Sequence, residues 1–156
     1  MIALCSPFSE IDIRKGELSI GSGFKMRSNC HLRVRQGGRL KLGRNVSLNY
    51  CDMIVCHKEV VIGDNVEFGP NVLIFDHDHD FRVIGGLKSK VFKKGTVVIG
   101  NNVWIGANSV ILRNTTIGDN SVVAAGSVIS GYYPRDSVIY QRKVTQVKPY
   151  ILESKA

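Results

Sequence analysis

The run Phe75-Asp76-His77-Asp78-His79-Asp80 sets two imidazoles among three carboxylates, the densest gathering of proton-handling groups in the chain. An imidazole titrates near neutrality, so it can take a proton from a hydroxyl as that oxygen attacks an electrophile. A neighbouring carboxylate can hold the ring in one tautomer, whereas a loop aspartate can simply face water. Spacing leaves both readings open for Asp76, Asp78 and Asp80, because side-chain direction is not readable from it. His57 adds a different possibility, since three imidazoles with one open position would make a catalytic zinc-like site. It lies in a separate stretch from the pair, and no metal is expected.

This run sits where a repeat breaks off. Aliphatic residues recur every sixth position at Ile99, Ile105, Ile111, Ile117, Val123 and Ile129 without a slip. A period of six is neither helical nor simply alternating, and it points to a repeat architecture. Small residues follow the aliphatic ones at Gly100, Gly106, Gly118 and Ala124. Small or β-branched residues come four places after them at Val103, Ser109, Thr115, Ser121 and Ser127. The pattern predicts an all-β fold, a three-sided parallel coil in which three hexads make one turn. Aliphatic side chains would stack in a central column, with small residues at the sharp corners.

Counted with insertions, the hexads give about five triangular coils, which begin at Ile20, Leu42, Ile62, Ile99 and Ile117. Only the step from Ile62 to Ile99 breaks the rhythm. Its excess, residues 80–95, has apolar residues but no repeat, and is expected as an extruded loop that leaves the coil, lies on a neighbouring surface and returns. Residues 1–19 are expected as an N-terminal cap over one end of the column, with Ile11, Ile13, Leu18 and Ile20 alternating like a short strand or an incomplete first coil, and residues 131–156 as an extended C-terminal segment. Residues 1–156 are thus expected to form a single domain.

The formal net charge is +8. It suits either attraction to anionic ligands, such as a phosphate-bearing cofactor or an acidic polysaccharide, or a solvated basic surface. The basic residues are scattered, densest at Arg33, Arg35, Arg39, Lys41 and Arg44, and no aromatic platform is interleaved with them, so nucleic acid is not an expected partner. The four cysteines form no CxxC pair and no zinc-finger spacing, and Cys30 is expected as a buried filler. No stretch approaches the roughly 18 apolar residues of an integral membrane segment, and the start shows no secretory pattern. A cytoplasmic protein is expected.

Ile62-Gly63-Asp64-Asn65-Val66, Phe68-Gly69-Pro70-Asn71-Val72, Val103-Trp104-Ile105-Gly106-Ala107, Ile117-Gly118-Asp119-Asn120-Ser121-Val122 and Ala124-Ala125-Gly126-Ser127-Val128 resemble the hexapeptide-repeat acyltransferases, over roughly residues 20–139. Among them the chain looks closest to the bacterial polysaccharide and sugar O-acetyltransferases. The resemblance implies a left-handed parallel β-helix, a homotrimer with active sites at subunit interfaces, acetyl-CoA as donor and a carbohydrate acceptor. It places the catalytic base on a histidine just before the extruded loop, which assigns the role to His79, with His77 next. It runs the donor's pantetheine arm past small residues near Ala107 and Ala125, with the adenine end near Ser130. Asn49 matches an acceptor contact, and Asp76 and Asp78 are grouped with it as candidate substrate-binding residues.

Two departures from that family stand out. Ile139-Tyr140-Gln141-Arg142-Lys143-Val144 replaces its Gly-Asn-Pro-Ala-Lys stretch, and Gly131 stands where many members carry lysine. Arg142, Lys143 and the basic arm are therefore the candidates for holding the coenzyme phosphates. Trp104 reads first as coil packing, with a substrate platform as the alternative at an interface. Other readings on the same coil are acetylation of an antibiotic or amino sugar, a carbonic-anhydrase-like metal enzyme using His57, His77 and His79, and a non-enzymatic scaffold.

Overall fold

The computed structural model describes residues 4–6, 8–142, 144 and 147, and these build a parallel β-helix. The first turn runs through Leu4–Cys5, Glu10–Ile13 and Glu17–Ile20. The second comprises Lys25–Met26, His31–Val34 and Arg39–Leu42, and the third Ser47–Leu48, Met53–Cys56 and Glu59–Ile62. Glu67–Phe68 and Leu73–Phe75 begin the fourth, which Thr96–Ile99 completes after the interruption. In the fifth and sixth turns the last two sides are single bent strands, Val110–Ile117 and Val128–Tyr133, after Trp104–Ile105 and Val122–Val123. Val138–Ile139 opens a seventh turn. The corners are numbered by position in the turn: the first follows its first strand, the second follows its second, and the third leads into the next turn.

The hexads become columns because successive turns stack in register. Leu32, Ile54, Ile74, Ile111 and Ile129 pair one above the next on the second face, all buried. Leu42, Ile62, Ile99 and Ile117 do the same on the third. The small residues after the aliphatic ones are required by how closely the turns stack. A Cβ at Gly43 would lie 2.5 Å from the Gly63 carbonyl oxygen, and one at Gly63 2.7 Å from that of Gly100.

At the third corner Asn45, Asn65, Asn102 and Asn120 all take left-handed backbone conformations, which asparagine tolerates better than most residues. Their side chains form a ladder. Each amide nitrogen donates to the amide oxygen of the next turn, at 3.0, 3.1 and 3.2 Å, and Asn120 donates to Asp136 at 3.0 Å.

Three segments differ from the sequence expectation. The described part of the expected N-terminal cap is itself a turn of the helix, with Glu10–Ile13 paired to His31–Val34 and Glu17–Ile20 to Arg39–Leu42. Its Ile11 and Ile13 remain 42% and 46% exposed at the end of the column, so their row lacks the burial seen higher up. The interruption begins at His77 and not at residue 80, because His77–His79 leaves the coil and pairs antiparallel with Phe92–Lys94 as a two-stranded stem. In the C-terminal segment, Gly131 to Tyr133 still pair with the fifth turn and Val138–Ile139 with the sixth, so the stack continues to residue 139. Among the described residues no helix is long and apolar enough to cross a membrane.

Candidate active site

The second corner collects the polar residues that the repeat does not use. Going up the stack it carries Arg14 and Lys15, then Arg35, then His57, then Asp76 and His77 with the stem, then Arg113, then Ser130. Strand pairing puts each set one turn above the last. Each step is about 4.8 Å, the spacing of neighbouring strands.

Asp76 anchors this corner. Its side chain is fully buried, and its carboxylate accepts backbone N–H bonds from His57 at 2.8 and 2.9 Å, Lys58 at 2.6 Å and Glu59 at 2.9 Å. His77 Nδ1 adds a contact at 3.2 Å. Burial pushes the Asp76 carboxyl up, but the hydrogen bonds from His77 and the three backbone N–H groups outweigh it and hold it below the usual carboxylate range. Asp76 therefore stays ionised and faces inward. Its oxygens are taken up by the turn at residues 57–59 and by His77.

The His77 side chain is only 12% exposed, and its ring stacks on His57 with centroids 3.8 Å apart. Burial, and then the neighbouring His77 ring, push His57 down to about 4, with Lys94 and Arg35 adding to the effect and Asp76 opposing it. At neutral pH His57 is uncharged.

Alternation gives the stem two unlike faces. On one lie His77, His79, Phe92 and Lys94: His77 stands opposite Lys94 and His79 opposite Phe92. Phe92 is the common wall, 4.6 Å from His57, 5.4 Å from His77 and 4.7 Å from His79. On the other face Asp78 pairs with Arg113 at 2.5 Å and Asp80 with Lys93 at 3.6 Å. A cavity opens on each side. The one below the stem, about 420 Å³, is lined by Arg14, Lys15, Arg35, His57, Phe92 and Lys94. The one above, about 370 Å³, is lined by Asp78, Leu112, Arg113, Asn114, Ser130 and Gly131.

The expected site residues thus divide between two corners. His77, His79, Asp78 and Ser130 share the second. Asn49, Ala107 and Ala125 stack at the first, where Asn49 lines another cavity of about 420 Å³ with Lys25, Arg27 and Glu67. The face between the two corners is a strand wide, roughly 13 Å at ~3.3 Å per residue. Arg142 is exposed, and Lys143 lies outside the described residues. Trp104, at 55% exposed, is not coil packing. Cys30 is fully buried and donates to the Asn49 carbonyl, and burial pushes its thiol up to about 11, as suits a filler. Among the described residues no three His, Cys, Asp or Glu side chains are grouped to hold a metal ion.

Sequence reasoning missed Arg14, Lys15, Arg35, Phe92 and Lys94 as one group. Counting back from His77 one turn at a time, through His57 and Arg35 to Arg14 with Lys15 beside it, would have found three of the five. Phe92 and Lys94 required the antiparallel pairing of the stem, for which the hexads carry no signal.

The family model described as bacterial transferase hexapeptide (six repeats) matches residues 96–131. The galactoside O-acetyltransferase of Escherichia coli is 41% identical over 106 residues, 65% of this chain and 50% of that protein. The putative lipopolysaccharide biosynthesis O-acetyl transferase WbbJ of the same species is 30% identical over 148 residues, 90% of this chain and 76% of that protein. Among solved structures, a galactoside acetyltransferase in complex with coenzyme A has a TM-score of 0.58 at 29% identity, over 97% of this chain and 72% of that one. A maltose O-acetyltransferase from Clostridium difficile has 0.63 at 28%, over 87% and 70%. The chain spans half the length of the first relative and about three quarters of the second.

Proposed function

The chain belongs to the bacterial hexapeptide-repeat transferases, and from that premise we propose that it transfers the acetyl group of acetyl-CoA to a hydroxyl of a sugar or surface polysaccharide. The observation that carries this reading is the line of rings from His57 through His77 and Phe92 to His79, pinned at one end by the buried Asp76 and open at the other to solvent. His79 is the base, since its ring is the exposed one. It takes the hydroxyl proton as the oxygen adds to the thioester carbonyl. When the tetrahedral intermediate collapses, the C–S bond breaks and the proton goes to the departing thiolate. Such a base supplies about 10²–10⁴-fold in rate, and the rest comes from positioning two substrates and from donors to the oxyanion.

A second reading makes His77 the base, and the Asp76 contact at 3.2 Å favours it, because a carboxylate on Nδ1 fixes the tautomer that leaves Nε2 free.

The donor lies along the first corner, past Ala107 and Ala125, and the base lies on the second. A prism whose site is divided between two corners is completed when the first corner of one copy meets the second corner of the next, and three-fold closure does this. A homotrimer is thus part of the proposal, with Trp104 and the exposed arm residues Phe81, Ile84 and Leu87 at the contact. So is a cytoplasmic setting, where acetyl-CoA is made. Thiol release from acetyl-CoA with a panel of sugars and short glycans tests the reaction. Release lost in His79→Ala and kept in His77→Ala supports the first reading, and the reverse supports the second. No release and no acetyl-CoA binding by calorimetry would refute both, and a monomer by sedimentation would refute the shared site.

A further inference from the structure

The cavity below the stem holds far more positive charge than the fold requires. Arg14, Lys15, Arg35 and Lys94 line it from three different turns, and none of the lining residues is acidic. Among the described residues the one carboxylate ion-paired with these cations is Asp12, which accepts from Arg14 at 3.1 Å and from Arg35 at 2.7 Å. Lys15 and Lys94 make no ion pair among the described residues. The face above the stem is different, since Asp78 meets Arg113 and Asp80 meets Lys93. Like charges gathered around a concave, partly apolar wall repel one another, and an anion between them relieves that repulsion.

Building on the transferase reading, we propose that this cavity binds an oxyanion carried by the acceptor, a carboxylate or a phosphate, so that the acceptor is an anionic glycan. Lys94 stands directly across the stem from His77, about 5 Å away between Cα atoms. Arg35 and Arg14 lie two and three turns below, roughly 10 and 14 Å at the strand spacing. An acceptor held there places its charged group among the cations and its hydroxyl at the imidazoles, with a sugar ring against Phe92. The Arg35 side chain, 24% exposed, is held by Asp12, so its guanidinium is pre-oriented at the cavity wall. The cavity volume, about 420 Å³, falls within the range of small-ligand sites.

Thiol release from acetyl-CoA, measured with methyl galactoside, methyl galacturonide and galactose 1-phosphate, tests the proposal in wild type and in a Lys15→Gln/Lys94→Gln double variant. Both lysines are exposed, and an unchanged Tm confirms that the variant folds. The expected result is a kcat/KM for at least one anionic acceptor roughly tenfold or more above that for the galactoside, with the double variant removing most of that ratio through KM. The galacturonide and the phosphate distinguish a carboxylate from a phosphate. A wild-type ratio near one, or a ratio the variant leaves intact, overturns the proposal while the transferase reading stands. A rise in KM for acetyl-CoA alone also overturns it, making the cavity a coenzyme-phosphate site. If no acceptor is acetylated, calorimetry decides the charge question separately, and the transferase reading fails only where acetyl-CoA does not bind either. Binding of oligogalacturonate or galactose 1-phosphate that the double variant loses supports the cavity assignment, and no binding by wild type refutes it.

Discussion

The second and third corners are made by the same turns of the same chain, yet they are built on opposite plans. At the third, one residue type repeats, and each asparagine amide finds its partner in the turn above. At the second, no one residue type is kept up the stack, which passes from Arg14 and Arg35 to His57 and His77, and charges and rings are left facing a cavity. The stem accounts for the contrast. Where it enters, the repeat cannot satisfy the corner, so side chains with other chemistry occupy it, and Asp76 must tie three turn N–H groups that a neighbouring turn would otherwise engage.

The largest effect should come from taking chemistry out of the second corner without touching the stack. His79→Ala is expected to lower kcat by about 10²–10⁴-fold with Tm unchanged, since the ring is exposed and Phe92 is its aromatic neighbour among the described residues. Steady-state rates set beside a thermal melt measure both, and a wild-type kcat would pass the role of base from His79 to His77.

Asp76→Ala should damage stability as well as activity. It strands three backbone donors in a buried turn at about 1–3 kcal/mol each, so a loss of at least ~3 kcal/mol is expected in urea unfolding. A loss below 1 kcal/mol would show that water replaces the carboxylate and that the corner is far looser than its geometry.

Asn102→Ala tests the other plan. It removes two rungs and leaves an alanine at φ 54°, for a cost of roughly 1–2 kcal/mol with the transferase rate preserved. A changed rate would mean that the two corners are coupled.

The smallest effect is in pH dependence. His57 titrates at about 4 in the fold and near 6.5 unfolded, so below pH 6.5 the unfolded chain takes up a proton that the native ring refuses. Native stability therefore falls as the pH drops from about 6.5 towards 4. The effect is on the order of 1 kcal/mol once solvent screening is allowed for. His57→Gln should flatten that slope, read as the urea midpoint at pH 7 and pH 4.5, and an unchanged slope would assign it to other groups.

The stack was legible in the sequence because Ile99, Ile105, Ile111, Ile117, Val123 and Ile129 fill successive places in three columns, one to each face, and a period of six has no competing local structure. The first turn was not, since column position and burial separate at the end of a stack, where Ile11 and Ile13 stay half-exposed. The importance of Asp76-His77-Asp78-His79 was legible from composition. Their directions were not, because these are set by pairing with Phe92–Lys94 across the arm. Arg14 and Lys94 are eighty residues apart in the chain, so their meeting is a property of stacking and has no local trace.

Ile62 pairs with Ile99 in the same register that Leu42 keeps with Ile62, and the Gly63 amide still reaches the Ile99 carbonyl at 2.8 Å. The stack therefore does not sense what lies between those turns, and doubling the length of such an excursion costs only about 0.6 kcal/mol in closure entropy. Descendants of this chain can rewrite the arm in length and sequence at almost constant stability, so selection for a new acceptor can act there while the scaffold drifts under separate constraints.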